Sequence, residues 1–275
     1  MSHPRLTRRQ DPIVTRLREV ARGRDAGSDD VLLDGPHVVL EALRADVPLE
    51  VILATTDRLE DPSPDMRQLW SLAAASGAAI YDVTTGVMDA ASPVRTPSGI
   101  VALGAWSPAA LSSLWAPAPA LAVGLVDVQD PGNAGAVIRC ADGLDATGVA
   151  MIGSTADPGS WKSLRGAMGS TFRLPVARGG IDEVLADART AGVAIVATVA
   201  RDSVGAIELR RVDLTRPVLL LLGNEGAGLP DDLQEDADVR VYIDMRAGLD
   251  SFNVSVTAGL LLYEARRQRQ SQGRV

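Results

Sequence analysis

Short apolar runs alternate with polar, helix-like segments along most of the chain. In the first half, strand-like runs lie at 31–33, 49–54, 78–83 and 99–103, with a helical pattern over 64–76. In the second half they lie at 121–128, 149–152, 193–199, 218–222 and 239–243, and a last helix is predicted from 254 to 268. Apolar runs without polar alternation indicate strands buried on both faces. The pattern therefore predicts an α/β fold with a parallel sheet in its second half.

A stretch of different character separates the two halves. Residues 105–120 combine Trp106, Trp115 and several prolines with alanine and serine, and they show no period. Such a composition is typical of a linker between domains. We therefore expect a first α/β domain over 1–104, which begins with a basic arm, a linker over 105–120, and a second domain over 121–275.

Charge is distributed unevenly on this acidic chain. The net charge is −8, yet seven arginines lie in residues 1–24 and four in 265–275. Basic ends on an acidic body favour local contacts with phosphate groups, and solvated tails are the alternative. No apolar run approaches the roughly 20 residues that cross a bilayer, and the single cysteine forms no intrachain disulfide. These features lead us to expect a soluble, cytoplasmic protein.

The chain lacks the sequence motifs and residues that several common kinds of enzyme require. The chain contains no G-x-x-x-x-G-K-[ST] loop and no G-x-G-x-x-G turn, which excludes P-loop hydrolysis and argues against Rossmann dinucleotide binding. The histidines are His3 and His37, and Cys140 is the one cysteine, so a zinc site or a Ser–His–Asp triad in the second domain cannot be assembled. We expect no metal.

Three polar loops follow strands of the second domain, where ligands of parallel sheets bind. The first, 130–139, begins Asp-Pro-Gly-Asn and is predicted to start a helix capped by Asn133, with Arg139 two turns further on. Taken alone, Arg139 is better explained as a solvated helix residue than as a site residue. The second, 222–230, holds three glycines and Glu225, and a carboxylate there favours a cationic ligand over a phosphate. S-adenosylmethionine is such a ligand, and a glycine-capped turn is the alternative.

The third loop, 243–256, joins a strand to the last predicted helix. Ser251 or Asn253 is expected to cap that helix, which leaves the other side chain available at the edge of the sheet.

In order and spacing, these loops resemble the motifs of the SpoU/TrmH branch of the SPOUT methyltransferases. Residues 130–139 match D-P-x-N-x-G-x-x-x-R, residues 223–228 match G-x-E-x-x-G, and residues 243–256 match a motif that reads Ile-Asp-Met and then Ser-Phe-Asn-Val-Ser here. Asp244 stands where the family usually has proline, and Phe252 where it usually has leucine. Residues 161–175 are also similar to the family, and the N-terminal part resembles its ribosomal-protein-L30e-like substrate-binding domain.

The resemblance implies a function and its residues. It implies a deep trefoil knot, a homodimer, and methyl transfer from S-adenosylmethionine to a ribose 2′-hydroxyl of structured RNA, with S-adenosylhomocysteine as product and rRNA favoured over tRNA. The implied catalytic residues are Arg139, Asn133, Glu225, Ser251 and Asn253. The implied cofactor-binding residues are Leu222, Gly223, Asn224, Gly226, Ile243, Met245, Phe252, Asn253 and Val254. The implied RNA-binding residues are Arg5, Arg8, Arg9, Arg16, Lys162 and Arg165.

Within this resemblance, Arg139 is assigned to orienting and electrostatic work, because a guanidinium stays protonated and is a poor base. Four alternatives stay open at this point. They are a tRNA 2′-O-methyltransferase, an inactive RNA-binding protein on the same fold, a base-nitrogen methyltransferase, and an α/β binding module without enzymatic activity.

Overall fold

The computed structural model describes residues 3–23, 28–246, 248–249, 251–271 and 273. Arg24 and Arg274, counted above with the basic ends, lie outside the described residues, as do Ala247 and Asp250 of the third loop. In the described part of the chain, no helix is both long and apolar enough to span a membrane.

The chain forms two compact units. The first comprises residues 1–107 and 159–172, and the second comprises 108–158 and 173–275. Two segments are therefore placed differently from the expectation. Most of the expected linker packs with the second unit, where Leu114 is buried. Residues 159–172, expected in the second domain, belong to the first unit because Leu164 is buried in its core and Phe172 packs against it.

Strands and helices alternate through both units. The strands are β1 (Arg5–Leu6), β2 (Asp30–Asp34), β3 (Leu49–Thr55), β4 (Ala79–Val83), β5 (Ile100–Ala105), β6 (Leu121–Val126), β7 (Gly148–Ile152), β8 (Val176–Gly179), β9 (Ala194–Thr198), β10 (Ile207–Glu208), β11 (Val218–Leu222) and β12 (Val239–Tyr242). The helices are α1 (Pro12–Arg22), α2 (Pro36–Arg44), α3 (Thr56–Leu59), α4 (Pro64–Ser76), α5 (Thr85–Ala91), α6 (Pro131–Gly143), α7 (Trp161–Ala167), α8 (Ile181–Thr190), α9 (Asp231–Asp236) and α10 (Val254–Ser271). The predicted α/β class is confirmed.

The first unit contains a five-stranded sheet in the order β1-β4-β3-β5-β2. β5 runs antiparallel to both of its neighbours, and the other pairs are parallel. Apolar side chains cover both faces, and they form one cluster with α2 and α4 and another with α1 and α5. This unit carries α7 as well, since α7 contacts β2.

The second unit is built on a seven-stranded sheet in the order β10-β12-β9-β11-β6-β7-β8. Every pair in it is parallel, as the uninterrupted apolar runs predict. β11 lies between β6 and β9, and β12 pairs with β9, so the loops that follow these four strands leave from one edge of the sheet. The trefoil knot stays a prediction.

The C-terminal helix α10 is held to this unit by a buried arginine. The Arg269 side chain donates from Nε to Leu214 O, from Nη1 to Pro119 O, and from Nη2 to Ala120 O and Arg216 O, over 2.6–3.0 Å. These carbonyls flank the starts of β6 and β11. One side chain thus ties the end of the chain to the beginnings of two central strands.

Candidate functional site

The first loop enters α6 through an aspartate cap. Asp130 Oδ1 accepts from the backbone N–H of Asn133 at 2.7 Å, which makes Asp130 the N-cap. The prediction that Asn133 caps this helix is therefore wrong. The reason is that proline fits the first helical position, and here Pro131 follows Asp130 directly. The Asn133 side chain is consequently available for contacts with other loops.

The second loop is closed by its own asparagine. Asn224 Oδ1 accepts from the N–H groups of Gly226 and Ala227 at 2.9 and 3.1 Å, and its Nδ2 donates to Asp127 O at 2.9 Å. The backbones of Asn224 and Gly228 exchange two further hydrogen bonds. Asn224 therefore shapes the loop and fastens it to the chain that leaves β6.

Gly223 and Gly226 of this loop have different surroundings, so we predict different results when each is substituted. A Cβ on Gly223 would lie 2.2–2.4 Å from backbone atoms of Gly228 and Leu229, whereas a Cβ on Gly226 would meet only Asn224 Oδ1, at 3.6 Å. We expect Gly223→Ala to distort the loop and lower the melting temperature. We expect Gly226→Val to keep the melting temperature and weaken cofactor binding, because its bulk is added beside the cavity described below.

Calorimetric titration of S-adenosylmethionine into both variants, together with thermal melting, checks this pair. Normal binding by Gly226→Val would remove the second loop from the cofactor site. An unchanged melting temperature for Gly223→Ala would show that the loop accommodates the clash.

The third loop ends at the cap of α10. Asn253 Oδ1 accepts from Ser255 N at 2.9 Å and from Ser255 Oγ at 2.6 Å, so Asn253 is the capping residue of the two candidates. Its Nδ2 donates to Asn133 Oδ1 at 3.0 Å, and Asn133 Nδ2 donates to Glu225 Oε1 at 2.9 Å. One side chain from each of the three loops is thereby joined in a continuous chain of hydrogen bonds. We call this series, Glu225–Asn133–Asn253, the amide bridge.

A cavity of about 520 Å³ opens between the second and third loops. Its wall includes eight apolar side chains larger than alanine, namely Val199, Leu222, Leu229, Val241, Ile243, Met245, Phe252 and Val254. Charged groups on the wall are Glu225, Asp231 and Arg201. Of the expected cofactor-binding residues, all line this cavity except Asn253, which lies in the amide bridge.

The expected catalytic residues are only partly brought together. Glu225 and Ser251 line the cavity, and Asn133 and Asn253 join Glu225 in the amide bridge. Arg139 is exposed on α6 and does not line the cavity. Within the described residues its guanidinium has no hydrogen bond or ion pair. The following residue, Cys140, contacts the carbonyl of Ser255 at 3.8 Å, so α6 and α10 meet next to Arg139, and burial raises the pKa of the Cys140 thiol.

The sequence did not reveal the segment after β9 as part of the site. Residues 198–201 and 203 line the cavity, as do Asp231 and Gln234 at the start of α9. Arg201 forms an ion pair with Asp244 at 2.8 Å and lies over the ring of Tyr242. Asp244, at the position where the family usually has proline, therefore joins the loop after β12 to the loop after β9, which we call the β9 loop.

The expected RNA-binding residues lie in the first unit. Three of the arginines form ion pairs with carboxylates: Arg5 with Asp82, Arg16 with Asp30 and Glu50, and Arg165 with Asp34. Arg8 and Arg9 are exposed, and Lys162 lies over the ring of Trp161. Among the described residues, no cluster of histidine, cysteine or carboxylate side chains is arranged to hold a metal ion.

Comparison with known proteins places this site in a family. The chain is 31% identical over 236 residues to the 23S rRNA (guanosine(2553)-2′-O)-methyltransferase RlmP of Bacillus subtilis, covering 86% of this chain and 88% of that protein. An AdoMet-bound rRNA methyltransferase from Sinorhizobium meliloti superposes with a TM-score of 0.83 at 30% identity over 96% of this chain and 97% of that one. The SpoU methyltransferase AviRb from Streptomyces viridochromogenes, in complex with AdoMet, superposes with a TM-score of 0.80 at 27% identity. The match covers 95% of this chain and 100% of that one.

Both halves of the chain match described families. Residues 32–105 match the family described as RNA 2′-O ribose methyltransferase substrate binding. Residues 120–263, which hold the three loops, the cavity and the amide bridge, match the SpoU rRNA methylase family. The chain therefore belongs to the SpoU rRNA methylase family.

Proposed function

We propose that this protein transfers the methyl group of S-adenosylmethionine to a ribose 2′-hydroxyl of ribosomal RNA. The observation that carries the proposal is the amide bridge, which joins all three family motifs beside one cavity. The names of the relatives support the same chemistry, since RlmP is named as a 23S rRNA 2′-O-methyltransferase.

The cavity fits the proposed cofactor in size and in chemistry. Its volume of about 520 Å³ lies within the range of about 300–1,000 Å³ found for small-molecule sites. The apolar wall suits an adenine ring, and the carboxylates of Glu225 and Asp231 suit a ligand with a sulfonium and an ammonium group. Two structural neighbours are described as bound to AdoMet.

The chemical step needs alignment more than acid–base strength. Bound S-adenosylmethionine supplies the methyl group, and S-adenosylhomocysteine leaves. The ribose oxygen gains a bond to carbon as the carbon–sulfur bond breaks, and the hydroxyl proton passes to water. The guanidinium of Arg139 holds the nucleotide and stabilises the negative charge that develops on the oxygen. The amide bridge fixes the loops on which this alignment depends.

A homodimer is part of the proposal. On α10, the apolar side chains of Val256, Leu260 and Tyr263 recur at helical spacing and are 39–63% exposed, and Phe252 precedes them with 38% exposure. A row of exposed apolar residues marks an interaction surface. The row begins at the third loop and follows the helix that packs on α6, so a second copy bound there lies close to Arg139. Because the proposed substrate is ribosomal RNA, the proposal includes a cytoplasmic location.

Substitution of this row predicts a change of assembly. Leu260→Arg is expected to convert a dimer to a monomer, because a charge in an apolar interface loses its hydration. Light scattering after size exclusion measures the mass. Val204→Arg is the matched control, since Val204 is 86% exposed and lies outside the row. A wild-type chain that is monomeric at micromolar concentration, or a dimer unaffected by Leu260→Arg, contradicts the interface.

The function is tested by methyl incorporation from labelled S-adenosylmethionine into purified 23S rRNA, 16S rRNA and tRNA that lack modifications. We expect incorporation into one rRNA at one nucleotide, with the label resistant to alkaline hydrolysis as a 2′-O-methyl group. Label in tRNA instead of rRNA would identify the protein as a tRNA methyltransferase. Label on a base would contradict ribose chemistry, and a chain that binds RNA without incorporating label would be the inactive homologue.

A further inference from the structure

A basic groove lies in the first unit. Helix α1 contributes Arg18 and Arg22, the end of α5 contributes the segment 89–93, and the start of α7 contributes Trp161 and Lys162. All of these elements belong to the first unit. The groove is open and holds about 680 Å³. We call it the α1–α7 groove.

The positive charges of this groove are not neutralised by ion pairs. Within the described residues, Arg18, Arg22 and Lys162 have no carboxylate within ion-pair distance, whereas Arg16 and Arg165, close by in sequence, are paired. Of the residues that the structure describes, Asp89 is the one carboxylate that lines the groove. Three cations therefore face one carboxylate, on a chain whose net charge is −8. An excess of positive charge on an acidic body selects for an anion.

The cations are also held in place before any ligand arrives. Arg18 Nε donates to Ala90 O at 2.6 Å, which uses one of its five N–H donors and leaves the others available. The Lys162 ammonium lies 5.5 Å from the centroid of the Trp161 ring, within the range of a cation–π contact. Trp161 packs against the apolar cluster of α1 and α5. Ordered donors cost less entropy when they bind a ligand.

The floor of the groove is fixed by a buried cluster that adds little negative charge. Ser92, which lines the groove, donates to Asp34 Oδ2 at 2.5 Å, and Arg165 Nη1 donates to Asp34 Oδ1 at 3.3 Å. The Asp34 side chain is 1% exposed, and its burial raises its pKa. The carboxylate is therefore shielded from the groove by a serine hydroxyl and balanced by an arginine.

We propose that the α1–α7 groove binds the phosphodiester backbone of the substrate RNA. The inference rests on the proposed function, because the substrate it names is the RNA that is methylated. Phosphate oxygens accept from guanidinium and ammonium groups, and an open groove accommodates a continuous chain where a closed pocket would select a small anion. The groove thus supplies affinity for RNA, while the three loops supply the chemistry.

Lys162 offers a direct test, because it is the only lysine of the chain. An amine-reactive ester acylates Lys162 in the full-length protein, and mass spectrometry of the peptide that contains it gives the rate. We expect saturating substrate RNA to slow this acylation by about tenfold, since a bound phosphate covers the ammonium group. Saturation is established by methyl transfer in the same sample. Acylation at the free-protein rate under those conditions overturns the proposal.

Two variants test the groove by kinetics. Lys162→Gln and Arg22→Gln are each expected to raise the KM for RNA by about five- to tenfold and to leave kcat and the Kd for S-adenosylmethionine unchanged. In a plot of log KM against the logarithm of the salt concentration, each substitution is also expected to lower the slope by about 0.7–0.9. Arg44→Gln is the matched control, since Arg44 lies on α2 of the same unit and is paired with Glu41. Melting temperatures verify that all three variants fold.

The outcomes separate this proposal from the proposed function. Methyl transfer with an unchanged KM for both groove variants overturns the groove and leaves the function standing. A loss that Arg44→Gln reproduces shows a general effect of charge and likewise overturns it. Protection of Lys162 by polyglutamate equal to that by RNA reassigns the groove to acidic polypeptides. Failure of the wild-type protein to methylate any RNA contradicts the function itself.

Discussion

Replacement of Arg139 by alanine is expected to lower kcat for methyl transfer by about 10²–10³-fold, the loss typical for one electrostatic donor at a reacting oxygen. The Kd for S-adenosylmethionine is expected to stay unchanged, because Arg139 lies on α6 and does not line the cavity. Its stability effect is expected to be within about 0.5 kcal/mol, as for an ordinary surface position. Rapid-quench methyl transfer and calorimetric titration on the same preparation measure both quantities.

Two comparisons make this prediction specific to Arg139. Arg139→Lys keeps the charge and loses the planar pair of donors, so an intermediate rate is expected if orientation matters. Arg173→Ala, on an exposed side chain paired with Asp142 in the same unit, is expected to keep the wild-type rate. Equal loss of cofactor binding and of methyl transfer in Arg139→Ala would give Arg139 a structural role instead.

Replacement of Arg269 by methionine is expected to destabilise the protein by about 3–5 kcal/mol. The change removes the donors to four backbone carbonyls around the starts of β6 and β11, and each acceptor left without a partner costs about 1–3 kcal/mol if it stays buried. Relaxation and water entry reduce the sum. Urea unfolding, followed by fluorescence of the tryptophans, measures the change in free energy.

The adjacent charged position on α10 provides the control. Arg267 pairs with Glu264 at 2.7 Å and its side chain is 57% exposed, so Arg267→Met is expected to cost less than about 1 kcal/mol. If the two substitutions on α10 cost the same, the four carbonyl contacts of Arg269 contribute no more than an exposed ion pair does.

Sequence patterns predict the strands best where burial is complete. The runs that became β6, β7 and β11 are apolar throughout because both faces of the parallel sheet are covered, and β9 departs from this only at Thr198. β8 was missed because it is short and carries Arg178 and Gly179, and β10 because it has two residues. Edge strands have fewer buried positions, so their sequences carry less of the pattern.

The three loops could be identified from the sequence because each has its own motif, but their geometry could not. The hydrogen bonds of Asn133 to two other loops span 92 and 120 residues of sequence, which no local pattern reports. The contribution of the β9 loop was missed because it depends on β9 lying between β11 and β12. Strand order is a property of the whole sheet and cannot be predicted from the sequence of any one segment.

The return of residues 159–172 to the first unit has a practical consequence for dissecting the protein. The chain passes between the units at 107–108, 158–159 and 172–173, so no single cut yields two intact pieces. A fragment beginning at residue 120 would retain α7 without β2 and would leave Leu164, now 1% exposed, without its apolar neighbours. Such a truncation is prone to aggregate, and a soluble catalytic fragment would require excision of that segment with the ends rejoined by a short loop.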